Sequence, residues 1–408
     1  MYLGKKIYLL FLVCFINCKL LSMYYQTEGT QEQDLSAFGY SSLKDFDDKF
    51  LAQFNNEVDL KVLNKIFESI SKIYDQDFNI SEWIGNNCVP QIIDKNFSYA
   101  QKIEFNGSGN KVIYCIGDTH ADYLALKKII QDIIKDDLKL KPEETIIFLG
   151  DFTDRGFENL KTIALIFLLK IINPNNVYIL KGNHETYPYK TEGNISAELK
   201  ALFIKQQIRE DLLNNIFDKF NLLPTILYVS YYSFIARFNH GGCGGEFDPK
   251  FLLDAEYFSV LQDISQLNLE GLLWGDISAN AKYPSEPSPR GGDVKLHSIK
   301  YSFEEMKKQN VNLWARGHQH SQPADEWAMA EKLKYKKKFS DGILDWIDYC
   351  NVVNDVEQSV CDGAWIFKNE DKSMDIATVI SSGDKYYPTY LKIRLAEDWF
   401  YPEIISCK

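Results

Sequence analysis

The spacing of apolar and polar residues divides the chain into two parts that meet near residue 110. Between residues 58 and 74, apolar side chains recur at spacings of three and four, which is the pattern of an amphipathic helix. Beyond residue 110, short apolar runs alternate with stretches of helical periodicity, as in α/β folds with parallel strand pairing. The pattern predicts a mainly helical N-terminal extension over 23–110 and an α/β domain over 111–408.

Polar loops follow the predicted strands of the second part. The run Lys111–Ile116 leads into Gly-Asp-Thr-His, residues 145–149 lead into Gly-Asp-Phe-Thr-Asp-Arg-Gly, and residues 177–180 lead into Gly-Asn-His-Glu. Two later β-like runs, 228–238 and Leu313–Arg316, lead into Asn-His-Gly-Gly and Gly-His-Gln-His. Because open α/β sheets gather ligands just beyond the carboxyl ends of their strands, we expect these loops to form one site.

The histidines are concentrated in these loops. Five of the six lie there with glycine close by, and only His297 lies elsewhere. Carboxylate, imidazole and amide groups together suit divalent ions such as manganese, iron or zinc. A shared carboxylate can hold two such ions about 3.5–4 Å apart, so the loops predict a metal centre. The five loop histidines are His120, His184, His240, His318 and His320.

Composition and charge narrow the class of protein. The 408 residues are 45% apolar and 25% charged, which is a globular composition with room for one large domain or two ordinary ones. The formal net charge of −12 disfavours general binding to nucleic acid and to anionic membrane surfaces. An anionic substrate is still compatible, because a bound metal or a local arginine can reverse the sign within one pocket.

The start of the chain has the pattern of an export signal. Lys5 and Lys6 precede an apolar run over residues 7–16, which is shorter than the roughly 20 residues that span a bilayer. We predict that residues 1–22 are a signal peptide or an N-terminal anchor, and that the protein is exported to a secretory pathway or a periplasm. Contact with a membrane is expected only through this leader or through a lipid on Cys18.

The ordered loop motifs resemble those of the phosphoprotein phosphatases, a branch of the calcineurin-like metallophosphoesterase superfamily. The resemblance rests on the three motifs after the first strands, on His-Gly-Gly at 240–242 and on Arg-Gly-His-Gln at 316–319. Three ordered motifs of this kind are specific, and Asp-Arg-Gly favours this branch over general phosphodiesterases. The resemblance covers about residues 111–320 and implies a β-sandwich flanked by helices.

The resemblance also implies two metal ions that share one carboxylate. A water between the ions would become hydroxide-like and attack phosphorus in line. The ligands of the first ion would be Asp118, His120 and Asp151. The ligands of the second ion would be Asp151, Asn183, His240 and His318.

Four further residues receive roles from the same resemblance. His184, oriented by Asp154, would be the general acid for the leaving oxygen. Arg155 and Arg290 would bind the phosphoryl oxygens through their planar guanidinium groups. His320 has no counterpart in the family pattern, and we predict that it lies behind the ligands or at the surface.

The chain departs from the family pattern in ways that affect substrate preference. Ala121 stands where glycine is usual, and Ser-Ser-Gly-Asp at 381–384 replaces the family's Ser-Ala-Pro-Asn-Tyr-Cys segment. Because that segment borders the active site of typical members, substrate preference does not transfer. Residues 277–300 and 321–362 are predicted to be inserts.

Three functions are compatible with these residues. The leading hypothesis is a metal-dependent phosphomonoesterase that acts on phosphoproteins, at phosphoserine and phosphothreonine or at phosphotyrosine. The second is an enzyme of the same fold that cleaves dinucleoside polyphosphates or another small phosphate ester. The third is a binding or effector module whose catalysis has decayed, although every predicted ligand position carries a suitable residue type.

Overall fold

The apolar runs of the sequence form the central strands of two large sheets, and shorter segments form a third sheet. This computed structural model describes residues 38, 40, 42–48, 60–77, 100–105, 110–135, 138–186, 189, 193–206, 211–243, 269–278, 281, 283–288, 290, 294–320, 357–361, 364–369, 372–382, 387–396 and 399–407. The strands are β1 (Ala100–Phe105), β2 (Lys111–Ile116), β3 (Glu144–Phe148), β4 (Val177–Ile179), β5 (Ile226–Tyr231), β6 (Phe234–Asn239), β7 (Asp276–Ser278), β8 (Ser285–Pro287), β9 (Lys295–Ser298), β10 (Leu313–Arg316), β11 (Glu357–Cys361), β12 (Ala364–Lys368), β13 (Asp375–Val379), β14 (Thr389–Ala396) and β15 (Trp399–Ser406).

The first two helices precede β1, and the others lie between strands along the chain. The helices are α1 (Leu43–Phe46), α2 (Leu60–Asp77), α3 (Tyr123–Ile134), α4 (Asn159–Ile172), α5 (Asn194–Gln206), α6 (Asp211–Asn221), α7 (Leu269–Trp274) and α8 (Ile299–Lys308).

Parallel pairing, as predicted, forms the centre of each large sheet. The seven-stranded sheet has the order β1-β5-β6-β10-β13-β12-β11, and the five-stranded sheet has the order β15-β14-β2-β3-β4. Strands β2, β3 and β4 are parallel, as are β6, β10 and β13. Antiparallel neighbours such as β12 and β14 complete the sheets, which are therefore mixed.

The two large sheets share a core, and helices cover their outer faces. In β2, Ile113 and Cys115 lie in the apolar cluster between the sheets, whereas Ile116 faces the helices. Val229 of β5 and Ala315 of β10 reach the same inner cluster from the seven-stranded sheet. Because both faces of these strands are covered, the strands are continuous apolar runs rather than alternating ones. The predicted β-sandwich flanked by helices is confirmed.

The amphipathic helix of the N-terminal extension is α2, and it belongs to the helical layer. Its buried side chains include Ile66, Phe67 and Ile70, and the Phe67 ring meets Phe167 of α4 edge to face at 5.8 Å. This apolar stripe confirms the helix that the spacing of three and four predicted. Helices α1 and α2 of the extension join the apolar cluster on the outer face of the five-stranded sheet.

The prediction that the N-terminal extension is mainly helical is corrected at its last described residues. Residues Ala100–Phe105 form β1, which pairs in parallel with β5, so the seven-stranded sheet begins before residue 111. The strand was missed because only Ile103 and Phe105 are packed apolar residues, both on the face toward the inner core. One apolar face among polar residues is expected of a strand at the edge of a sheet.

Several predictions fall wholly or partly outside the described residues. The leader at 1–22, Cys18 and most of the insert at 321–362 belong to this group, although β11 lies at the end of that insert. Much of the other insert, 277–300, contributes to a three-stranded sheet of order β7-β9-β8. No helix in the described part of the chain is both long and apolar enough to cross a membrane.

Candidate metal centre

Strand ends from both large sheets deliver the predicted ligands to one place. Asp118, Asp151 and Asn183 follow the adjacent parallel strands β2, β3 and β4. His240 and His318 follow β6 and β10, neighbours in the other sheet. All five side chains are buried. The sandwich therefore brings together, at one edge, residues that are distant in sequence.

The turns that aim these side chains have strained backbones. His120, Asp151 and His318 have φ values of 46°, 51° and 71°, in the left-handed region that residues other than glycine rarely adopt. Asp154 and Arg155 share this conformation at 65° and 62°. Each such residue costs about 1–3 kcal/mol and persists where the surrounding structure holds it, which is typical of functional sites.

Two glycines allow the loops after β3 and β4 to touch. Gly150 has a φ of 93°, and a Cβ added there would lie 2.4 Å from the Gly182 nitrogen. A Cβ at Gly182 would lie 2.2 Å from the Asp151 nitrogen and 2.3 Å from its Oδ1. No side chain fits in either place without moving Asp151 or its neighbours.

Three overlapping groups of side chains have ligand atoms within 4.8 Å of one another. Asp151 belongs to two of the groups, as expected of a carboxylate that two ions share. Asn183 joins the group that contains His240 and His318, since its Oδ1 lies 3.0 Å from His240 Nε2. The groups are Asp118 with His120 and His320, Asp151 with His120 and His184, and Asp151 with His240 and His318.

His320 is part of this centre, and its predicted place behind the ligands or at the surface is wrong. Its Nε2 lies 3.0 Å from Asp118 Oδ2 and 3.0 Å from His120 Nε2. Its ring stacks on that of His120, with centroids 4.9 Å apart. The available signal was its position two residues after His318 in the same loop motif.

The two buried carboxylates each keep one oxygen unused. Asp118 Oδ1 accepts a hydrogen bond of 2.8 Å from the backbone of His318, and Asp151 Oδ1 accepts one of 2.9 Å from the backbone of His184. Within the described residues, neither Oδ2 accepts a well-oriented hydrogen bond. A buried carboxylate oxygen without a partner is costly, and a cation removes that cost. The residues therefore fit divalent metal ions.

Backbone carbonyls orient the imidazole rings toward the same space. His120 Nδ1 lies 3.1 Å from the Thr153 carbonyl oxygen, and His240 Nδ1 lies 2.9 Å from that of Leu149. Because a carbonyl can only accept, these Nδ1 atoms each carry a proton, and Nε2 is the nitrogen that faces the centre. A ring held in this way presents Nε2 to a metal, and a charged ring would release its Nε2 proton on binding.

The charges of the centre act on one another strongly. Burial would raise the pKa of Asp151, but His240 and His184 outweigh it and hold that pKa well below its usual range. Burial alone would lower the pKa of His240, but the charges of Asp151 and Asp118 outweigh burial and raise this pKa to about 9. For His120, burial dominates and lowers the pKa to about 4, so this ring is neutral at neutral pH and can act as a ligand.

Glu185 supports the centre, and the sequence argument gave it no role. Its Oε2 accepts hydrogen bonds from the backbone amides of Asp151 at 2.8 Å and Gly182 at 2.9 Å. Its Oε1 accepts from the Thr153 amide and hydroxyl. Burial and the charge of Asp151 raise the pKa of Glu185 to about 7. The side chain joins the loops after β3 and β4, and its place after His184 in the third motif was the available signal.

His184 and Asp154 lie together as the resemblance implied. His184 Nδ1 is 3.2 Å from Asp154 Oδ2, and Asp154 Oδ1 accepts a hydrogen bond of 3.0 Å from the backbone of Ile195 in α5. His184 Nε2 lies on the metal side, 3.9 Å from Asp151 Oδ2. The pair thus leaves one imidazole nitrogen facing the centre.

The two predicted phosphate-binding arginines differ in their surroundings. Arg155 is exposed, and its guanidinium forms no ion pair with any described residue. The Arg290 guanidinium is held by Asp276 through Nε to Oδ2 at 2.6 Å and Nη2 to Oδ1 at 3.3 Å. Asp276 Oδ1 lies 3.8 Å from His318 Nε2, so Arg290 is near the centre but already paired.

The sequence is similar to those of known phosphoesterases over the region that carries this site. Residues 111–322 match the family of calcineurin-like phosphoesterases. The chain is 28% identical over 218 residues to a probable serine/threonine-protein phosphatase of Encephalitozoon cuniculi, covering 53% of this chain and 44% of that protein. It is 26% identical over 237 residues to serine/threonine-protein phosphatase T of Saccharomyces cerevisiae, covering 55% and 43%. The chain thus spans less than half the length of these relatives.

The fold is also similar to that of a solved protein. A protein serine/threonine phosphatase from Saccharomyces cerevisiae superposes with a TM-score of 0.55 at 16% identity. The match covers 88% of this chain and 96% of that chain. At this identity the likeness concerns the fold, and it extends over most of the described sandwich.

Proposed function

The chain belongs to the calcineurin-like phosphoesterase family, and from that premise we propose that it is a metal-dependent protein phosphatase. Its substrates would be phosphoserine and phosphothreonine esters in proteins, with phosphotyrosine as the variant to be tested beside them. The observation that carries this proposal is the carboxylate of Asp151: three histidine nitrogens lie 3.1–3.9 Å from its buried Oδ2, which accepts no well-oriented hydrogen bond from the described residues. The names of the similar proteins support the protein substrate.

Two groups of residues would hold the ions, for which we propose manganese, iron or zinc. Bound there, such ions supply Lewis acidity and lower the pKa of a water molecule. Asp118, His120, His320 and Asp151 would hold one ion. Asp151, Asn183, His240 and His318 would hold the other.

His184 and Asp154 would handle the proton of the leaving oxygen. The Asp154 carboxylate binds Nδ1 of His184, which fixes the ring and leaves Nε2 toward the centre. When a phosphoserine is hydrolysed, the serine oxygen leaves as an alkoxide. An alkoxide is a poor leaving group unless it receives a proton as the ester bond breaks. A positioned acid of this kind contributes about 10²–10⁴ in rate.

Arg155 would bind the phosphoryl oxygens of the substrate. Its side chain is exposed at the strained turn that also carries Asp154. A planar guanidinium that forms no ion pair with the described residues can form two parallel hydrogen bonds to phosphate oxygens. For Arg290 to take the same role, a phosphate would have to compete with Asp276 for the guanidinium.

Hydrolysis of defined substrates tests the proposal. The full chain, loaded with manganese, is offered phosphoserine, phosphothreonine and phosphotyrosine peptides, with diadenosine tetraphosphate alongside. Asp151→Asn removes the shared carboxylate. Asp132→Asn is the matched control, because Asp132 is exposed, accepts from the Tyr390 hydroxyl and the Cys407 thiol, and lies outside the three ligand groups. We expect peptide turnover that Asp151→Asn abolishes and Asp132→Asn preserves.

Other results of these assays would favour one of the two other functions. Cleavage of the dinucleotide without the peptides would make the protein a hydrolase of small phosphate esters. Failure to bind metal, measured by elemental analysis of the purified chain, would contradict the metal-dependent mechanism and favour a binding module.

We also propose that the protein is exported through its leader. The proposal is supported by Lys5, Lys6 and the apolar run at 7–16. Expression with a C-terminal tag, followed by N-terminal sequencing of the recovered protein, tests it. A mature chain that begins near residue 23 supports a cleaved signal peptide, whereas a chain retaining Met1 in the soluble cell fraction contradicts export.

A further inference from the structure

An aromatic ring covers one face of His184. The Tyr189 and His184 ring centroids are 4.0 Å apart, and the planes are inclined by 29°. His120 meets the same imidazole edge to face, at 5.0 Å and 79°. With the bond from Nδ1 to Asp154, three different contacts surround the ring.

The backbone of Tyr189 is anchored on both sides. Its amide donates a hydrogen bond of 3.2 Å to the Thr186 carbonyl, and its carbonyl accepts one of 2.9 Å from Gly193. Gly193 touches Asp154 so closely that an added Cβ would lie 2.4 Å from Oδ1. The tyrosine, the aspartate and the histidine are thus held in one small unit.

Tyr189 also lies near Trp274, a residue that contacts the second metal group through His318. Its ring is nearly parallel to that of Trp274, at 6.2 Å and 22°. The Trp274 carbonyl lies 3.1 Å from His318 Nε2 and accepts its proton. Tyr189 therefore has one ring contact with His184 and a second with a neighbour of His318.

We propose that Tyr189 is a positioning residue for His184, an inference that rests on the proposed function. One hydrogen bond at Nδ1 leaves the imidazole able to rotate about that bond and to tilt Nε2 away from the leaving oxygen. A ring stacked on its face blocks that motion and excludes water from that side. Small errors in placing a reacting group cost rate steeply, about 10²-fold for 1 Å.

Substrates with different leaving groups separate this role from a general structural one. A phosphoserine peptide needs a proton on its leaving oxygen, whereas p-nitrophenyl phosphate releases a stable phenolate that needs little help. Tyr189→Leu removes the ring at similar length, and Tyr189→Phe keeps it. All three proteins are compared as full chains loaded with manganese.

The expected result is selective and is restored by the conservative variant. For Tyr189→Leu, kcat on the phosphoserine peptide falls by about tenfold or more while KM changes by less than about threefold, because the ring that positions the acid is lost. Tyr189→Phe controls for the hydroxyl, which interacts with Asn183. On p-nitrophenyl phosphate the same variant stays within about threefold of the parent. Tyr189→Phe stays near the parent on both substrates.

Each other outcome overturns the inference. Equal losses on the two substrates, an unchanged Tyr189→Leu, or a Tyr189→Phe as impaired as Tyr189→Leu would each show that stacking does not position the acid. Loss of bound metal or of the thermal transition in Tyr189→Leu would assign Tyr189 a structural role instead. A parent protein that hydrolyses neither ester would contradict the proposed function, and this inference with it.

Discussion

The carboxylate of Glu185 accepts a hydrogen bond of 2.8 Å from the backbone amide of Asp151, and so joins the third loop motif to the second. The same oxygen accepts from Gly182, and the other oxygen accepts from Thr153. One side chain thereby sets the separation of the loops after β3 and β4. We expect the position of Asp151, the carboxylate proposed to be shared by two ions, to depend on this contact.

Replacing Glu185 by glutamine tests that dependence. The glutamine amide nitrogen would face backbone donors, so about two hydrogen bonds are lost at a fully buried position. We expect a loss of about 2 kcal/mol in the free energy of unfolding and weaker metal binding. Urea denaturation and metal titration measure the two effects. Unchanged metal affinity in Glu185→Gln would show that the loops hold Asp151 without this side chain.

His320 is expected to contribute to metal binding. Its Nε2 lies 3.0 Å from the unused oxygen of Asp118, so it can complete the first ligand group. For His320→Ala we expect metal affinity to fall by about tenfold or more, by analogy with the cost of disturbing other metal-site residues. His297→Ala is the control, because His297 lies outside the three ligand groups. Equal affinities for the parent and His320→Ala in a calorimetric titration would exclude His320 as a ligand.

Alanine substitutions at two glycines should affect metal binding and acid positioning separately. A Cβ at Gly182 would strike Asp151, whereas a Cβ at Gly193 would strike both carboxylate oxygens of Asp154. We expect Gly182→Ala to lose metal and all turnover. Gly193→Ala should keep its metal and lose activity mainly on phosphoserine peptides. If both variants lose metal equally, the two parts of the centre are not mechanically independent.

The extension before residue 100 is expected to stabilise the domain. Phe67 of α2 is buried and packs on Phe167 of α4. Phe67→Ala should therefore lower the free energy of unfolding by about 3–5 kcal/mol. Glu68→Ala, at the adjacent exposed position, should change it by less than about 0.5 kcal/mol. A single unfolding transition shifted only by Phe67→Ala would show that the extension and the sandwich unfold together.

The sequence predicted those elements that show a clear pattern of apolar residues along the chain. Strand β2 was placed with its correct bounds, and β3 and β4 within one residue, because both of their faces are covered and the apolar runs are continuous. The loop motifs were found for the same reason, since each directly follows such a strand. The pairing of His184 with Asp154 came from the family resemblance and is present at 3.2 Å.

The features that were missed depend on contacts between distant residues. Strand β1 has two packed apolar residues and is recognisable only from its pairing with β5. The β7-β9-β8 sheet has strands of three or four residues, too short to show a period. Arg290 was assigned to phosphate, but its contact with Asp276 depends on how the loop after β7 folds. None of these contacts leaves a pattern along the chain.

His297 should give folding stability an acid-sensitive component. Its ring is buried and stacked on Tyr301 at 5.3 Å, and burial lowers its pKa to about 4. Between about pH 6.5 and 4 the unfolded chain binds a proton that the folded chain does not, so stability falls as pH falls, by up to about 1.4 kcal/mol per pH unit. His297→Phe keeps the stack and removes this proton. Urea denaturation across that pH range should show a shallower loss of stability in His297→Phe, and parallel curves for the two proteins would contradict the assignment.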